Sequence, residues 1–235
     1  MDGCAGALGG RWCTGVVREV THPDPRAVRL RIEVVGRTDH LPGQHYVFRL
    51  TAPDGYSASR SYSVASAPAD PLLEFYVERL DDGEVSGYLA DVVEPGDELE
   101  LRGPIGGWFV WEGDTPALGV AGGTGVVPLV AMLRHARDLG RQDLLRLLVS
   151  GRTLEQVPYR DELAGHRLLL TRAAHEGRSA GRITAEDLRP LLGGGRRPTA
   201  YVCGSAGFAE TTSQLLVDLG VPATDVRVER FGPSG

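Results

Sequence analysis

The spacing of hydrophobic residues changes once along the chain, and this change most limits the folds that the chain can adopt. As far as about Trp111, hydrophobic and polar residues alternate with a period of two, for example over positions 28–34 and 73–80. Such alternation is typical of half-buried strands. After Gly113, short apolar runs are separated by stretches long enough for helices. Period-two strands joined by glycine turns predict an antiparallel barrel, and alternating strands and helices predict a parallel sheet, so we expect two domains.

The domain boundary is expected at positions 112–115. A flexible leader would occupy positions 1–11, a barrel domain positions 12–112, and an α/β domain positions 113–235. The barrel half contains one helical candidate, at about 85–92. In the α/β half, the strand candidates are 144–150, 168–171, 200–203 and 226–228, and the helical candidates are 128–139, 208–219 and a helix that starts at a capping box of Thr184 and Asp187.

Positions 115–133 carry no charge and contain the turn Gly122-Gly-Thr-Gly125, followed by Pro128. We interpret this stretch as a buried strand, a glycine turn and the start of a helix, where backbone N–H groups can approach a phosphate closely. Two alternatives exist. Loops between strands and helices often need glycine for steric reasons alone, and nineteen uncharged residues are long enough to span a membrane. The four glycines and two prolines of the stretch argue against a membrane span.

Composition excludes several classes of protein. The net charge of −6 gives no sign of nucleic-acid binding. Three cysteines are too few for a disulfide framework and cannot supply the four thiolates of an iron–sulfur cluster. No His, Asp or Glu grouping has the spacing of metal ligands. The first ten residues lack the basic start and apolar run of a secretory signal, so we expect a cytoplasmic protein.

The sequence Arg60-Ser61-Tyr62-Ser63 stands at the start of a predicted strand. Residues two apart in a strand share a face, so Arg60 and Tyr62 would present a cation and an aromatic ring side by side. This pair suits a ligand that carries both a phosphate and a flat ring system. The alternative is a surface arginine beside a half-buried tyrosine.

Six short motifs follow one another along the chain and together resemble the ferredoxin–NADP(+) reductase family. The likeness extends from about Trp12 to Phe231. It implies an N-terminal Greek-key barrel that holds FAD and a C-terminal α/β domain that holds NAD(P)H. The motifs are Arg60-x-Tyr62-Ser63, Gly83-Glu-Val-Ser86, Gly103-Pro-Ile-Gly106, Gly122-Gly-Thr-Gly125-x-x-Pro128, Cys203-Gly204 and Val228-Glu-Arg-Phe231.

The resemblance implies roles for residues of the barrel half. Arg60 would pair with the FAD pyrophosphate, Tyr62 would pack on the isoalloxazine, and Ser63 would place its hydroxyl near flavin N5. Ser86, at the start of the helix, would offer N–H groups and a hydroxyl to the pyrophosphate; as an alternative it is an ordinary N-cap. Positions 103–106 would form the turn where the two domains meet, or simply a type I or II turn. The remaining FAD-binding residues implied are Ser61, Tyr76, Val77, Gly83 and Val85.

In the α/β half, the resemblance implies a nicotinamide site. Cys203, with Gly204 after it, would lie at the carboxyl end of a parallel strand, where ligands of open α/β sheets bind, and would approach the reacting nicotinamide carbon. Glu229 would relay a proton, and Phe231 would cover the second flavin face, although the chain extends four residues beyond the family's closing aromatic. Without the family, Cys203 is a buried small hydrophobe and Glu229 a solvated acid. The implied pyrophosphate site comprises Gly122, Gly123, Thr124, Gly125 and Pro128.

The choice between NADPH and NADH depends on the loop after the second strand of the α/β half, where an arginine favours a 2′-phosphate. Ser150 and Arg152 lie there, and Arg172 and Arg182 match basic positions of NADPH-dependent relatives. We therefore expect NADPH. The alternative is that these are solvated arginines, because every cationic residue other than histidine is Arg in this chain.

The leading functional hypothesis is an enzyme in which Ser63, Cys203 and Glu229 are catalytic. Hydride would pass from NADPH to FAD, and single electrons would then reach a separate acceptor, either a ferredoxin or the iron–sulfur component of an oxygenase. A second hypothesis is a flavin reductase that releases free reduced flavin. A third is a regulatory subunit that binds nucleotides without turnover.

Overall fold

A computed structural model describes residues 11–193 and 197–231. The chain divides into two compact units, residues 1–110 and 111–235. The predicted leader, apart from Arg11, and the last four residues lie outside the described residues.

The described part of the first unit is an antiparallel barrel of six strands with one helix. Its strands follow the order β4-β3-β6-β1-β2-β5, and a bridge between Val64 and Phe75 joins the two ends of this order. The predicted N-terminal antiparallel barrel is confirmed. The elements are β1 Trp12–Asp24, β2 Ala27–Glu33, β3 His45–Thr51, β4 Ser57–Ser63, β5 Leu73–Glu78, α1 Glu84–Asp91 and β6 Glu98–Ile105.

Alternating residues of the strands fill the barrel. Leu30 and Ile32 are fully buried, and the rings of Phe48 and Phe75 meet edge to face with their centroids 4.8 Å apart. Val85 of α1 packs into the same core. Helix α1 therefore packs its apolar face against the core of the barrel.

The described part of the second unit is a parallel sheet with helices. The strand order is β11-β10-β7-β8-β9, and all its strand pairs are parallel. The order reverses between β7 and β10, which is where doubly wound sheets bind ligands at the carboxyl ends of their strands. The elements are β7 Ala117–Gly122, α2 Val126–Asp138, β8 Leu145–Gly151, β9 Arg167–Leu170, α3 Ala185–Leu192, β10 Thr199–Ser205, α4 Ala206–Asp218 and β11 Val226–Phe231, with 3₁₀ turns at Gly123–Gly125, Gln142–Leu144, Leu154–Gln156, Arg160–Leu163 and Ala223–Asp225.

Local signals in the sequence predicted these elements to within a few residues. The capping box of Thr184 and Asp187 starts α3, as predicted. Helix α2 begins two residues earlier than predicted, at Val126. Along the described ranges, we find no helix with the length and apolarity that crossing a membrane requires. The uncharged stretch at 115–133 instead forms a buried strand, a 3₁₀ turn and most of a buried helix.

Candidate functional site

In the barrel unit, the predicted flavin residues occupy the end of β4 and not the start of a strand. Strand β4 already begins at Ser57. The first three residues of β4 were not predicted because they carry little apolar signal, and hydrogen bonding to β3 defines them instead. The register pairs Arg60 with Phe48 and Tyr62 with Tyr46. Since Phe48 and Tyr46 are buried in the core, Arg60 and Tyr62 share a face, as predicted.

Arg60 and Tyr62 differ in exposure. The Tyr62 ring is half-buried and meets Phe48 edge to face with centroids 5.3 Å apart. Burial raises the pKa of its phenol to about 12, and the charge of Arg60 opposes part of this rise. Arg60 is exposed and donates to the Ser59 carbonyl at 2.8 Å; along the described ranges, it forms no ion pair with a carboxylate. Its charge is therefore available to an anionic ligand.

Ser63 carries a buried hydroxyl that needs a partner. Only 5% of the residue is exposed, and its Oγ has no hydrogen-bond partner among the described residues. Burying a hydroxyl without a hydrogen bond costs about 1–3 kcal/mol. A polar atom of a bound ligand at this position would remove that cost.

The Gln44 side chain fixes the backbone around Ser63. Its Oε1 accepts from the Leu41 N–H at 2.7 Å, and its Nε2 donates to the Gly106 carbonyl at 2.6 Å. The Gln44 carbonyl accepts from Val64 N–H at 3.1 Å. The side chain and the backbone carbonyl of Gln44 together connect the ends of β4 and β6 to the loop before β3. The sequence alone did not predict this role for Gln44.

Ser86 is neither the first residue of its helix nor its N-cap. Gly83 is the N-cap and Glu84 the first residue. The Ser86 hydroxyl accepts from the Leu80 N–H at 3.2 Å and donates to the Gly83 carbonyl at 3.3 Å. A side chain at Gly83 would collide with that hydroxyl. The hydroxyl thus shapes the turn, and what α1 offers an anion is its backbone N–H groups.

The other predicted FAD-binding residues of the barrel unit have side chains that face elsewhere. Val77 and Val85 are buried in the core. Tyr76 donates its hydroxyl to Asp24 at 2.9 Å, and burial together with this bond raises the pKa of the Tyr76 phenol. Ser61 is exposed and lies on the opposite face of β4 from Tyr62. For binding FAD, Val77, Val85 and Tyr76 therefore have only their backbone groups available. Ser61 also has its exposed side chain, on the face of β4 opposite Tyr62.

Positions 103–106 do not form the predicted turn. Gly103 through Ile105 belong to β6, and the turn lies at 107–109. A Cβ at Gly103 would stand 2.5 Å from the Tyr46 ring. The glycine is therefore required by strand packing against this ring and not by turn geometry.

In the α/β unit, the glycine turn connects β7 to α2 as predicted. A side chain at Gly125 would collide with the Cys203 carbonyl, and one at Gly122 would stand 2.8 Å from Phe208. Gly123 has a φ of +58° and open space around its Cβ position. Packing thus explains two of the glycines, whereas Gly123 leaves the backbone approachable in front of the N-terminus of α2. Thr124, in the same turn, is half-buried, and Pro128 lies in the first turn of α2.

The parallel register of β10 and β11 brings two predicted catalytic residues together. Cys203 is opposite Glu229. Burial, and then the charge of Glu229, raise the pKa of the Cys203 thiol well above its ordinary value. Burial raises the pKa of Glu229 to about 7. The thiol is therefore neutral at physiological pH, while the carboxyl can take up or release a proton close to neutrality.

The two residues predicted beside this pair lie at or near the ends of their strands, since β10 ends at Ser205 and β11 at Phe231. Gly204 is buried, and a Cβ on it would stand 2.8 Å from Phe208. Phe231 is the last residue of β11 and is half-buried. Its role at a flavin stays a prediction.

Three predicted arginines gather at the carboxyl ends of β8 and β9. The Arg172 N–H donates to the Arg152 carbonyl at 3.0 Å, and the N–H of Gly181, next to Arg182, donates to Leu170 at 3.1 Å. All three arginine side chains are exposed, and over the described ranges none has a hydrogen-bond or ion-pair partner. Ser150, in contrast, is buried within β8.

A neighbouring arginine is engaged in the fold. Arg178 donates from Nε and Nη2 to Asp187, each at 2.8 Å, and Arg167 reaches the same carboxylate at 3.3 Å. Burial acts to raise the pKa of Asp187, but the hydrogen bonds from Arg178 and Thr184 outweigh it and hold the pKa below its usual range. Arg178 is thus structural, which leaves the other three arginines as candidates for binding an anion.

Tyr56 is a further residue that was not predicted from the sequence. Its hydroxyl donates to Glu84 at 3.0 Å, across 28 positions of sequence. The signal that could have found it is a large aromatic residue directly after the Asp54-Gly55 turn, in an otherwise polar hairpin. As for metals, no cluster of His, Cys, Asp and Glu able to hold an ion occurs in the part of the chain that the structure describes.

These groups fit the cofactors that the sequence implies. One strand end carries an arginine, a half-buried ring and a buried hydroxyl, and within the described ranges the arginine has no carboxylate partner and the hydroxyl no hydrogen-bond partner. A flavin dinucleotide could bind to all three groups. Backbone N–H groups of a glycine turn and a helix N-terminus lie at the switch point of the parallel sheet, as a nicotinamide dinucleotide requires.

Comparison with known proteins finds a matching family model for each of the two units. The family model for an oxidoreductase FAD-binding domain matches residues 16–110, and the model for an oxidoreductase NAD-binding domain matches residues 120–214. The ferredoxin–NAD(P)(+) reductase component of the naphthalene 1,2-dioxygenase/salicylate 5-hydroxylase systems of a Ralstonia species is 31% identical over 93% of this chain and 68% of its own length. The chain spans about half the length of curated flavohemoproteins that it also matches.

Solved structures share the fold. The FAD/NAD-binding domain of nitric oxide dioxygenase from Vibrio cholerae superimposes with a TM-score of 0.83, at 23% identity over 94% of this chain and 99% of that one. A ferredoxin NADP+ reductase from Neisseria gonorrhoeae, with bound FAD and NADP, gives 0.78 at 21% identity, over 94% and 98% of the two chains. With both family models, the dioxygenase-system relative and the two-unit fold in agreement, the chain belongs to the ferredoxin–NADP(+) reductase-like family of FAD- and NAD(P)-binding oxidoreductases.

Proposed function

We propose that this oxidoreductase takes hydride from NADPH onto FAD and passes single electrons to a separate protein, either a ferredoxin or the iron–sulfur component of an oxygenase. Relatives are named as the reductase component of a naphthalene dioxygenase system and as the electron transfer component of toluate 1,2-dioxygenase. When bound, FAD supplies the conversion of a two-electron into a one-electron transfer. The observation that carries the proposal is the buried Ser63 hydroxyl, next to Tyr62, which has no hydrogen-bond partner among the described residues.

In the barrel unit, three side chains of β4 bind different parts of FAD. The exposed Arg60 guanidinium binds the pyrophosphate, together with the N–H groups that start α1. The Tyr62 ring, supported from behind by Phe48, packs against the isoalloxazine. The Ser63 hydroxyl forms a hydrogen bond at flavin N5.

In the α/β unit, the N–H groups around Gly123 bind the pyrophosphate of the nicotinamide nucleotide. The neutral thiol of Cys203 positions the nicotinamide through packing, because its raised pKa excludes a thiolate. Glu229, whose pKa burial raises to about 7, holds a proton that it can exchange near neutral pH.

The preference for NADPH rests on Arg152, Arg172 and Arg182. Their side chains are exposed and carry charge at the carboxyl ends of β8 and β9. Two charge-assisted hydrogen bonds to a 2′-phosphate, reduced by exposure to solvent, contribute about 2–3 kcal/mol in total, or roughly a 30- to 150-fold preference.

The test compares kcat/KM for NADPH and NADH in the wild type and in the Arg152→Ala and Arg172→Ala variants. We expect each substitution to lower the NADPH/NADH ratio of kcat/KM by about 5- to 12-fold. Each removes one of the two charge-assisted hydrogen bonds and therefore half of the free energy of the preference. Arg189→Ala, an exposed arginine of α3, serves as the matched control and should leave the ratio unchanged. Ratios equal to that of the wild type in both test variants would refute the assignment.

Two observations separate the alternative functions. A protein that stays yellow through desalting holds FAD as a prosthetic group, whereas release of the colour favours a flavin reductase that uses free flavin. Anaerobic mixing with NADPH should bleach the visible flavin absorbance. An unbleached spectrum would favour the regulatory subunit.

A further inference from the structure

Arg178 uses all the hydrogen-bond donors of its guanidinium group within the fold. Its Nε and Nη2 donate to the two carboxylate oxygens of Asp187, each at 2.8 Å. Its remaining N–H groups donate to backbone carbonyls of its own loop: Nη1 to Ser179 at 2.9 Å and to Gly181 at 3.3 Å, and Nη2 to Arg182 at 2.7 Å. A guanidinium group carries five N–H donors. All five are therefore used, and the loop is folded around this side chain.

The loop around Arg178 contains a turn that is unfavourable by itself. The loop lies in the connection between β9 and α3, where His175 and Arg178 exchange two backbone hydrogen bonds, of 2.9 and 3.0 Å. Between them, Glu176 and Gly177 have φ angles of +46° and +79°. Positive φ at both central residues is the pattern of a type I′ turn, which disfavours glutamate because its Cβ crowds the backbone. Contacts outside the turn therefore have to hold this loop in place.

Asp187 connects Arg178 to the start of α3. The same carboxylate accepts from the N–H of Thr184 at 2.9 Å and from its hydroxyl at 3.0 Å, within the capping box that begins the helix. Asp187 is buried, so the anchor of Arg178 belongs to the rigid part of the unit. A lysine would keep the charge, but its single nitrogen could not reach the carboxylate and the three carbonyls together.

Arg182 is fixed at its backbone and exposed at its side chain. Its carbonyl accepts from Arg178. The N–H of Gly181, directly before it, donates to Leu170 at 3.1 Å, and Ile183, directly after it, is buried in the core of the unit. The exposed Arg182 side chain thus extends from a backbone position that is held on both sides. Such a side chain loses less conformational entropy on binding an anion than one on a mobile loop.

We propose that Arg178 positions Arg182 to bind the 2′-phosphate of NADPH, without contacting the nucleotide itself. The proposal rests on the preference for NADPH that is proposed above. It makes that preference depend on the shape of the Arg178 guanidinium group, which binds several carbonyls at once, and not on its charge alone.

The test measures dissociation constants by titration calorimetry for 2′,5′-ADP and 5′-AMP, which differ only by the 2′-phosphate. Arg182→Ala should weaken the binding of 2′,5′-ADP by about 5- to 12-fold, the share of one of two charge-assisted hydrogen bonds, and change that of 5′-AMP by less than about twofold. Arg178→Lys should cause the same selective loss although it keeps the charge. The double variant Arg178→Lys/Arg182→Ala should bind 2′,5′-ADP no more weakly than Arg182→Ala, because both substitutions remove the same contact.

A guanidinium ion in solution tests the positioning role directly. In Arg178→Ala, guanidinium chloride at millimolar concentrations, far below those that denature proteins, should restore affinity for 2′,5′-ADP, whereas ammonium chloride should not. If Arg178→Ala does not fold, Arg178→Ala/Asp187→Ala removes both charges together and should show the same selective loss.

Arg167 provides the matched control. It reaches the Asp187 carboxylate at 3.3 Å but, among the described residues, donates to none of the loop carbonyls that Arg178 binds. Arg167→Ala should therefore leave both affinities unchanged. A loss of 2′,5′-ADP affinity in Arg167→Ala as large as that in Arg178→Lys would show that the charge balance at Asp187 is what matters, and would overturn the proposal.

The variants also separate this proposal from the proposed function. If Arg182→Ala selectively loses 2′,5′-ADP and Arg178→Lys does not, Arg178 has no positioning role, while the preference for NADPH stands. If Arg182→Ala changes neither affinity, the proposal is wrong together with the assignment of Arg182 to the 2′-phosphate.

Discussion

The buried carboxyl of Glu229 provides the sharpest test of the α/β unit, because its ionisation is tied to folding. Burial raises its pKa from 4.5 to about 7, and each tenfold change in proton affinity corresponds to about 1.4 kcal/mol. The folded state therefore disfavours the ionised carboxyl by about 3 kcal/mol. A raised pKa stabilises the fold below pH 4.5, and this stabilisation is lost as the pH rises towards 7.

The perturbation is Glu229→Gln, which keeps the shape and cannot ionise. Between pH 5 and pH 8, the free energy of unfolding of the variant relative to the wild type should rise by about 2–3 kcal/mol. Other titrating groups are common to both proteins and cancel in this difference. The Cys203 thiol stays protonated throughout, since its pKa lies above its ordinary value.

The assay is urea-induced unfolding of the flavin-bound protein, followed by circular dichroism at intervals between pH 5 and 8. Glu210→Gln, which removes an exposed carboxyl from α4, is the control and should show a difference that does not depend on pH. If the difference for Glu229→Gln were equally flat, the carboxyl would titrate as an ordinary acid. The role of Glu229 as a proton reservoir near neutral pH would then be refuted.

Two further predictions concern stability. Gly125→Ala should destabilise the protein by about 3 kcal/mol or more, because the new side chain meets the Cys203 backbone carbonyl. Gly123→Ala meets open space and should cost only the roughly 1–2 kcal/mol of a left-handed alanine. Equal losses of stability in thermal unfolding would contradict this explanation. Asp187→Asn should cost about 3 kcal/mol at pH 7, because it leaves the Arg178 charge without its partner. Since the pKa of Asp187 is lowered, this loss should shrink as the pH falls below about 4, and a loss independent of pH would show that the pairing does not stabilise the fold.

Features set by neighbouring residues were predictable from the sequence, and those set by distant contacts were not. The capping box of Thr184 and Asp187 lies within one helical turn, so its pattern was sufficient. The start of β4 was placed three residues too late because its first side chains are small or polar, and pairing with β3 defines it. Gly103 was read as part of a turn, yet a packed ring from another strand explains it.

The same distinction holds for the candidate site. Arg60 and Tyr62 share a face because two-residue periodicity is a local property, and the register bears this out. The engagement of the Ser86 hydroxyl depends on a loop conformation that no spacing encodes. The contact between Tyr56 and Glu84 joins a hairpin to a helix, and it could be found only once the packing of α1 was known.

The way in which the barrel closes has a consequence for the state without cofactor. In the part of the chain that the structure describes, β3 is the only full strand neighbour of β4, and closure depends on one bridge beyond the end of β4, at Val64. The backbone groups on its other side form an open sheet edge, and such edges can pair with a second chain and lead to aggregation. A dinucleotide bound along this strand as proposed would shield the edge, so the supply of cofactor would then affect how readily the protein aggregates.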